Sequence, residues 1–271
     1  MNEEFAAHSD WALRKRDGEL QLRGAWKAKW FDKSIPGLRR WWADHAGRAV
    51  SEGNCDGVFM DAATLALHPA NKNWYGPEKA RAIERGGFDM MRMTKEEMGP
   101  GKLLVYNGIR TRDEHGRTRG MELLPYADGV CLEHFDHFGS TGKESIASDL
   151  AMIREAAEMG KMVIFKAWPG FSWLDREILA KPHEELNRLA AERITFPLAC
   201  YLVAAGEFTY FCYSWGYELD NGFLDWYPEY DKPLGRPLED AAQNGWVYTR
   251  RFEHAAVRVD LENKQATIDW K

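Results

Sequence analysis

Short apolar runs without alternation recur along this chain of 271 residues, and a polar or aromatic residue follows each of them. The first run is Gly57–Met60, which Asp61 follows directly. A continuous apolar run of this length is typical of a parallel strand that is covered on both faces. We therefore predict such a strand there and at four further runs, which end at Asn107, Glu133, Trp168 and Trp215.

Helical patterns separate these predicted strands. Apolar residues recur at helical spacing over residues 36–50, and further helices are predicted over residues 78–97, 145–160 and 182–205. Strands that alternate with helices predict an α/β fold built on a parallel sheet. No Gly-rich phosphate loop or dinucleotide fingerprint follows any of the strands, which disfavours a Rossmann-type fold.

The two ends of the chain have different patterns. Residues 1–37 contain no convincing strand. Residues 246–270 contain short strand-like runs joined by a turn at residues 262–264, and these predict a C-terminal antiparallel β-hairpin.

Composition favours one kind of partner and excludes another. Aromatic residues make up 13% of the sequence, and aromatic rings can stack on the C–H faces of sugars, although large cores also use Trp and Phe. The net charge is −6, from 36 basic and 42 acidic residues. Without a basic stripe, nothing indicates nucleic-acid binding.

No apolar run is long enough to span a membrane, and the first twenty residues lack the apolar stretch of a signal peptide. We therefore expect no membrane partner and a cytoplasmic location for the chain as it stands, or secretion if a missing upstream segment carries a signal. The cysteines have no metal-type spacing, so we predict buried free thiols, no metal and no cofactor. They are Cys55, Cys131, Cys200 and Cys212.

Asp61 and Glu133 are the candidate catalytic residues. Each is the sixth residue of a segment that opens with Asp-Gly-Val, the first beginning at Asp56 and the second at Asp128. Barrel enzymes keep their chemistry at the C-terminal ends of parallel strands, where both acids are expected. Alternatively, Asp61 caps the following turn, and Glu133 forms a buried ion pair with a neighbour such as Lys166 or His134.

The order of the strand-end residues carries a resemblance to a known group of proteins. Its elements are Trp41-Trp42 near a helix start, the strand ending at Asp61, Asn107 at the next strand end, and the sequence Gly-Val-Cys-Leu-Glu-His-Phe that begins at Gly129. They resemble glycoside hydrolases with a TIM-barrel fold. The nearest are the hypothetical glycosyl hydrolase families related to the polygalactosaminidase and α-galactosidase barrels.

The resemblance implies a (β/α)8 barrel as a single domain over residues 1–271, with Asp61 ending the fourth strand and Glu133 lying on the sixth. It further implies that Asp61 is the nucleophile and Glu133 the general acid/base. Glycoside cleavage independently needs two carboxyl groups that flank one bond. Because no room precedes Asp61 for three strands, we expect a partial barrel of about five parallel strands, from a fragment of a longer protein or a trimmed barrel. Open sheet edges then invite pairing into a homo-oligomer.

Residues at the other strand ends, and one in the loop after the first strand, are expected to bind the sugar: Asn107, Lys166, Trp168, Tyr213, Trp215 and Trp74. Asn107 could bond a sugar hydroxyl or the nucleophile, or cap a loop instead. Trp168 could pack in the wall of the site without touching substrate.

Two further groups of side chains are candidates for binding an anion or a metal. Arg110 and Arg112 could bind a uronate or a sulfate, because a guanidinium matches a planar anion, or could be solvated loop charges. His134 and His137 beside Asp136 have weak spacing for a metal site, and none is predicted there.

Three functions stay open from the sequence. The first is a retaining glycosidase that acts on a poly- or oligosaccharide. The second is a lyase or dehydratase on acidic sugars, with Lys166, His134 or a tyrosine as the base. The third is a non-catalytic carbohydrate-binding remnant of a barrel.

Overall fold

The structure is a computed structural model that describes residues 6–23, 27–109 and 120–271. The strands are β1 (Leu22–Arg23), β2 (Ala28–Lys29), β3 (Gly57–Met60), β4 (Leu103–Asn107), β5 (Gly129–Phe135), β6 (Met162–Ala167), β7 (Thr209–Tyr213), β8 (Ala242–Asn244), β9 (Val247–Arg251), β10 (Ala255–Asp260) and β11 (Gln265–Trp270). The α-helices from residue 36 onward are α1 (Pro36–Glu52), α2 (Asn71–Tyr75), α3 (Pro77–Met98), α4 (Lys143–Glu158), α5 (Arg176–Leu179), α6 (His183–Ala191) and α7 (Thr195–Ala204).

Five parallel strands form one sheet in the order β3-β4-β5-β6-β7, and helices alternate with them along the chain. This confirms the predicted α/β class, the number of parallel strands and their order. The described residues fall into two compact units, one up to Gly108 with Gly120–Gly129, the other Ile109 with Val130–Lys271. A single domain over residues 1–271 stays a prediction, and the units are described in turn.

In the first unit, β3 pairs in parallel with β4, with Gly57 opposite Leu103 and Met60 opposite Tyr106. Gly57 is required at this point, because a Cβ there would lie 1.9 Å from the carbonyl oxygen of Leu103. Helix α1 packs on α3. Strands β1 and β2 form a separate antiparallel pair, which the sequence did not predict.

A carboxylate fixes the end of β4 that lies opposite the candidate site. The Asp128 Oδ2 atom accepts hydrogen bonds from the backbone N–H of Leu104 at 2.8 Å and from the Lys95 amine at 2.6 Å. Its partners are a main-chain donor and a charged group, so the Asp of this Asp-Gly-Val segment has a structural role.

In the second unit, β6 pairs in parallel with β7, from Val163 opposite Thr209 to Ala167 opposite Tyr213. The one helix predicted over residues 182–205 is instead two helices, α6 and α7. Pro197 explains the break, because it has no N–H to donate and its ring clashes with the carbonyl four residues earlier, so it is tolerated only in the first turn of α7.

A separate antiparallel sheet with the order β11-β10-β9-β8 completes the second unit. The predicted C-terminal antiparallel strands are thus confirmed, and β8 adds a strand that was not predicted. Helix α7 packs against β10 and β11. Two ion pairs join this sheet's turn to residues that follow β5, namely Lys264 with Asp136 at 2.7 Å and Lys143 with Glu262 at 2.6 Å.

All four cysteines are free thiols, as predicted, and Cys131 and Cys200 are buried. Cys212 is only half-buried, and Cys55 is exposed because it lies in the turn before β3. Across the described ranges, no helix combines the length and the apolar character needed to cross a bilayer.

Candidate functional site

Asp61 and Asn107 lie together at the carboxyl ends of the paired strands β3 and β4. The Asn107 side-chain amide donates a hydrogen bond to Asp61 Oδ1 at 3.1 Å. Parallel strands bring their carboxyl ends to one edge of a sheet, which is why residues 46 positions apart meet here. Ala62, the next residue, has a left-handed backbone with φ of 56°, a conformation that a residue with a Cβ rarely adopts. The sharp turn therefore begins directly at the candidate nucleophile.

A cavity of about 260 Å³ opens beside Asp61 within the first unit. Its wall is mainly apolar and includes the indoles of Trp30, Trp41 and Trp42. Its polar members include Lys33 and Asn71, in addition to Asp61 itself. An apolar pocket with a few convergent polar groups is the usual form of a small-molecule site.

Lys33 brings a half-buried cation to this cavity. Its amine donates to the carbonyl oxygens of Ala62 and Ala63 at 3.4 and 3.3 Å. Burial lowers the pKa of Lys33 to about 8, and the negative charge of Asp61 opposes that change. The amine is therefore mostly protonated at neutral pH. Lys33 was not predicted as a site residue, because no strand or helix pattern surrounds it in the sequence.

Trp74, predicted to bind the sugar, is not among the residues that line this cavity. Its ring stacks on His68 with centroids 5.0 Å apart, and it packs against a buried cluster that includes Tyr75 and Ile83. The structure thus gives Trp74 packing contacts, and its role in binding stays a prediction.

In the second unit, the carboxylate of Glu133 on β5 contacts the side chains of Tyr217 and His134. The Tyr217 hydroxyl donates to Glu133 Oε1 at 2.8 Å, and His134 Nε2 lies 2.9 Å from Oε2. The side chain of Glu133 is 25% exposed, so solvent reaches it. The alternative of a pairing with His134 is therefore observed, and it leaves the carboxylate accessible.

Lys166 and Trp168 lie beneath Glu133. The Trp168 indole donates to the Glu133 backbone carbonyl at 2.9 Å. The Lys166 amine lies 3.7 Å from the centroid of the Trp168 ring and donates to the carbonyl oxygens of Ser214 and Ala167 at 2.6 and 3.2 Å. Burial lowers the pKa of Lys166 to about 8, against the attraction of Cys212, Cys131 and Glu133. Both side chains are at least nine-tenths buried, so they support the site from below.

The accessible aromatic surface near Glu133 differs from the one predicted. Tyr213 and Trp215 are 4% and 1% exposed, so neither presents a ring face to substrate. The Tyr213 hydroxyl bonds the carbonyl of Ala190 instead. Trp173 and Tyr217, whose centroids lie 4.9 Å apart, are 36% and 50% exposed and offer open rings. Only their position in aromatic loops after β6 and β7 could have suggested this.

The structure describes the histidines of the possible metal site but not the arginines of the possible anion site. His134 and His137 stack on Trp168, with centroids 5.6 and 5.3 Å from its ring. In the part of the chain that the structure describes, no group of three or more His, Cys, Asp or Glu side chains could hold a metal ion. Arg110 and Arg112 lie outside the described residues.

Among curated proteins, none matches the sequence. The crystal structure of the chitinase domain of the spore coat protein CotE from Clostridium difficile is similar at 13% sequence identity and a TM-score of 0.34, covering 91% of this chain and 71% of that one. A likeness this remote carries no argument about substrate or mechanism. The model of a family described as hypothetical glycosyl hydrolase family 15 matches residues 1–256, so the chain belongs to hypothetical glycosyl hydrolase family 15.

Proposed function

We propose that this protein is a retaining glycoside hydrolase that cleaves a poly- or oligosaccharide, with Asp61 as the nucleophile and Glu133 as the general acid/base. Membership of a glycosyl hydrolase family supports the reaction class. The observation that carries the proposal is Glu133, a solvent-accessible carboxylate held by Tyr217 and His134 beside open aromatic rings. Aromatic rings beside an acid match what a sugar ring and its leaving oxygen require.

Each carboxyl group has a distinct task in this reaction. Glu133 protonates the glycosidic oxygen while Asp61 attacks the anomeric carbon, and a covalent glycosyl-enzyme results. Glu133, now ionised, then removes a proton from the water that releases the sugar. Asn107 donates a hydrogen bond to one oxygen of the Asp61 carboxylate and so helps to orient it. Retention requires the two carboxyl groups to lie about 5–5.5 Å apart, and inversion about 6.5–9.5 Å.

The hydrogen bonds to Glu133 suit a group that must change protonation state. Tyr217 stabilises the ionised form through Oε1. His134, at Oε2, can donate to the carboxylate or accept from the protonated acid, depending on its own tautomer. Such a pair can keep Glu133 oriented through both steps. The Lys166 charge beneath it adds attraction for the ionised form.

The test begins with a polysaccharide screen that identifies a substrate the parent chain cleaves. Asp61→Asn and Glu133→Gln are then compared with Asp56→Asn, an exposed carboxylate just before β3, as the matched control. Because a positioned acid/base contributes about 10²–10⁴-fold, Glu133→Gln should lose activity on that order while its circular dichroism is unchanged. Asp61→Asn should be inactive, and the control should keep its activity.

Proton NMR of the first product tests the stereochemistry. The retained anomer is expected, since two displacements restore the configuration. An inverted product, or wild-type turnover by either folded variant, would refute the assignment. A product with a new double bond would point to a lyase, and binding without turnover would point to a carbohydrate-binding remnant.

A further inference from the structure

Trp173 presents an open ring at the surface of the second unit, next to the aromatic side chains around Glu133. Its ring centroid lies 4.9 Å from that of Tyr217, 5.3 Å from that of Trp168 and 5.6 Å from that of Phe138. These neighbours support the indole, and the part that stays exposed is a flat apolar surface. Single exposed aromatic residues are ordinary on proteins, but this one belongs to a cluster beside an accessible carboxylate.

The turn that carries Trp173 is fixed by hydrogen bonds between residues before and after it. The backbone N–H and the hydroxyl of Ser172 donate to Asp175 Oδ2 at 2.6 and 3.0 Å. The backbone N–H of Asp175 donates in return to the Ser172 carbonyl oxygen at 3.0 Å. Phe171 and Ser172 are buried, so the backbone before the indole is anchored in the fold. A ring that is already held in place loses less conformational entropy when a ligand binds to it, which favours binding.

Tyr217 links this ring to the proposed general acid/base. Its hydroxyl donates to Glu133 Oε1 at 2.8 Å, and its ring packs against Trp173 at an angle of 59°. The length of one tyrosine ring therefore separates the indole from the carboxylate. A six-membered sugar ring has a similar length. A sugar unit whose bond lies at Glu133 would extend along Tyr217, and the next unit of the chain would reach Trp173.

We infer that Trp173 stacks on a sugar unit that is one removed from the cleaved bond, so that the protein prefers chains of three or more sugar units to disaccharides. The inference rests on the proposed function, because Glu133 marks the position of the bond. The contact joins the C–H face of a sugar to the face of an indole, and it needs no charge and no buried polar group on the protein. It gives the exposed indole an apolar partner, which water cannot supply.

The experiment compares substrates of increasing length. Oligosaccharides are prepared from a polysaccharide that the parent chain cleaves, from the disaccharide upward, and kcat and KM are measured for each. The variants are Trp173→Ala, which removes the ring, and Trp173→Phe, which keeps a smaller ring and serves alone if the first variant does not fold. Leu174→Ala is the matched control, because Leu174 follows Trp173 in the same turn, is exposed and has no ring. Circular dichroism verifies that each variant is folded.

For the parent, kcat/KM should rise about tenfold or more from the disaccharide to longer chains. Trp173→Ala should lose most of this rise through a higher KM, because the contact is made equally before and during the reaction. Its kcat/KM on the disaccharide should stay that of the parent. Trp173→Phe should keep part of the rise, and Leu174→Ala should keep all of it.

Four results would overturn the inference and leave the proposed function standing. The first is a parent that cleaves disaccharides as efficiently as longer chains, and the second is a folded Trp173→Ala variant with the parent's dependence on length. The third is an equal loss at every length, which would show that Trp173 only supports Tyr217. The fourth is a dimer of the parent that Trp173→Ala abolishes without an effect on longer chains, which would assign the ring to an interface between copies.

If the parent cleaves no polysaccharide, the proposed function fails, and binding decides the inference. The chain is then run in native gels that contain each polysaccharide. Retardation that Trp173→Ala loses and Leu174→Ala keeps would sustain sugar binding by Trp173. No retardation of the parent, or equal retardation of the parent and Trp173→Ala, would refute it.

Discussion

Replacing Lys166 with methionine tests whether a buried charge destabilises the second unit. Lys166 is 4% exposed, and burial lowers its pKa from 10.5 to about 8 in the folded state. In the unfolded chain the amine is in water and keeps its proton to higher pH. Because the unfolded state then binds more protons than the folded state, the free energy of unfolding rises with pH between about 8 and 10.5.

The size of the effect follows from the two pKa values. At about 1.4 kcal/mol for each tenfold change in an equilibrium constant, the difference between 10.5 and about 8 corresponds to about 3 kcal/mol. The protonated amine lowers stability by this amount at pH 7, and by less as the pH rises. Methionine has a similar length and no charge, so Lys166→Met lacks this dependence. Its stability relative to the parent should therefore fall by about 2–3 kcal/mol from pH 7 to pH 10.

Urea titrations followed by circular dichroism give the free energy of unfolding of the parent and of Lys166→Met at pH 7 and at pH 10. The quantity of interest is how the difference between the two proteins changes between these pH values. Losses of packing that do not depend on pH cancel in this comparison, so the difference reports the protonation of the Lys166 amine. Lys72→Met, at an exposed lysine, is the control and should show no such change with pH. A difference between parent and Lys166→Met that is the same at both pH values would refute the reasoning.

Two further predictions concern the site and the packing of the first unit. Tyr217→Phe removes the hydroxyl that holds Glu133 Oε1, and since a hydrogen bond to a charged group contributes about 1.5–3 kcal/mol, kcat should fall roughly tenfold or more. Steady-state kinetics measure this, with Trp226→Phe at another exposed aromatic residue as control, and an unchanged kcat would exclude a role for the hydroxyl. Gly86→Ala places a Cβ 2.0 Å from the carbonyl oxygen of Lys33, and an overlap of this kind should lower the free energy of unfolding by about 1–3 kcal/mol. Urea titration of Gly86→Ala beside Arg85→Ala, on the exposed face of α3, checks it, and equal stabilities would contradict the packing argument.

The parallel sheet was predictable because a strand that is buried on both faces has a continuous run of apolar residues in the sequence. Val130, Cys131 and Leu132 on β5 are all buried, and they form the continuous apolar run from which the strand was predicted. The strands β1 and β2 have no such run. Each has two residues, which is too short for a pattern of side chains to indicate a strand.

The site was predictable only where strand ends define it. Asp61 and Asn107 were expected at neighbouring strand ends, and the sheet brings them together. Tyr217 lies 84 residues from Glu133 in an irregular segment, where no period shows which side chain turns toward the acid. Tyr213 and Trp215 were expected to contact the sugar, but the fold buries both rings. A sequence shows that aromatic residues are present, but it does not show which of their faces the fold covers.

The ion pairs at the turn between β10 and β11 have a consequence for the order of folding. Lys264 contacts Asp136 across 128 residues, and Lys143 contacts Glu262 across 119. Contacts so distant along the chain form slowly, because closing the long loop costs entropy before the contacts contribute any favourable energy. During synthesis, the segment that follows Glu133 must therefore wait for the C-terminal hairpin before its final contacts can form. Ribosome-bound chains that end before β10 would carry the proposed acid/base without the ion pair that fixes its neighbouring loop.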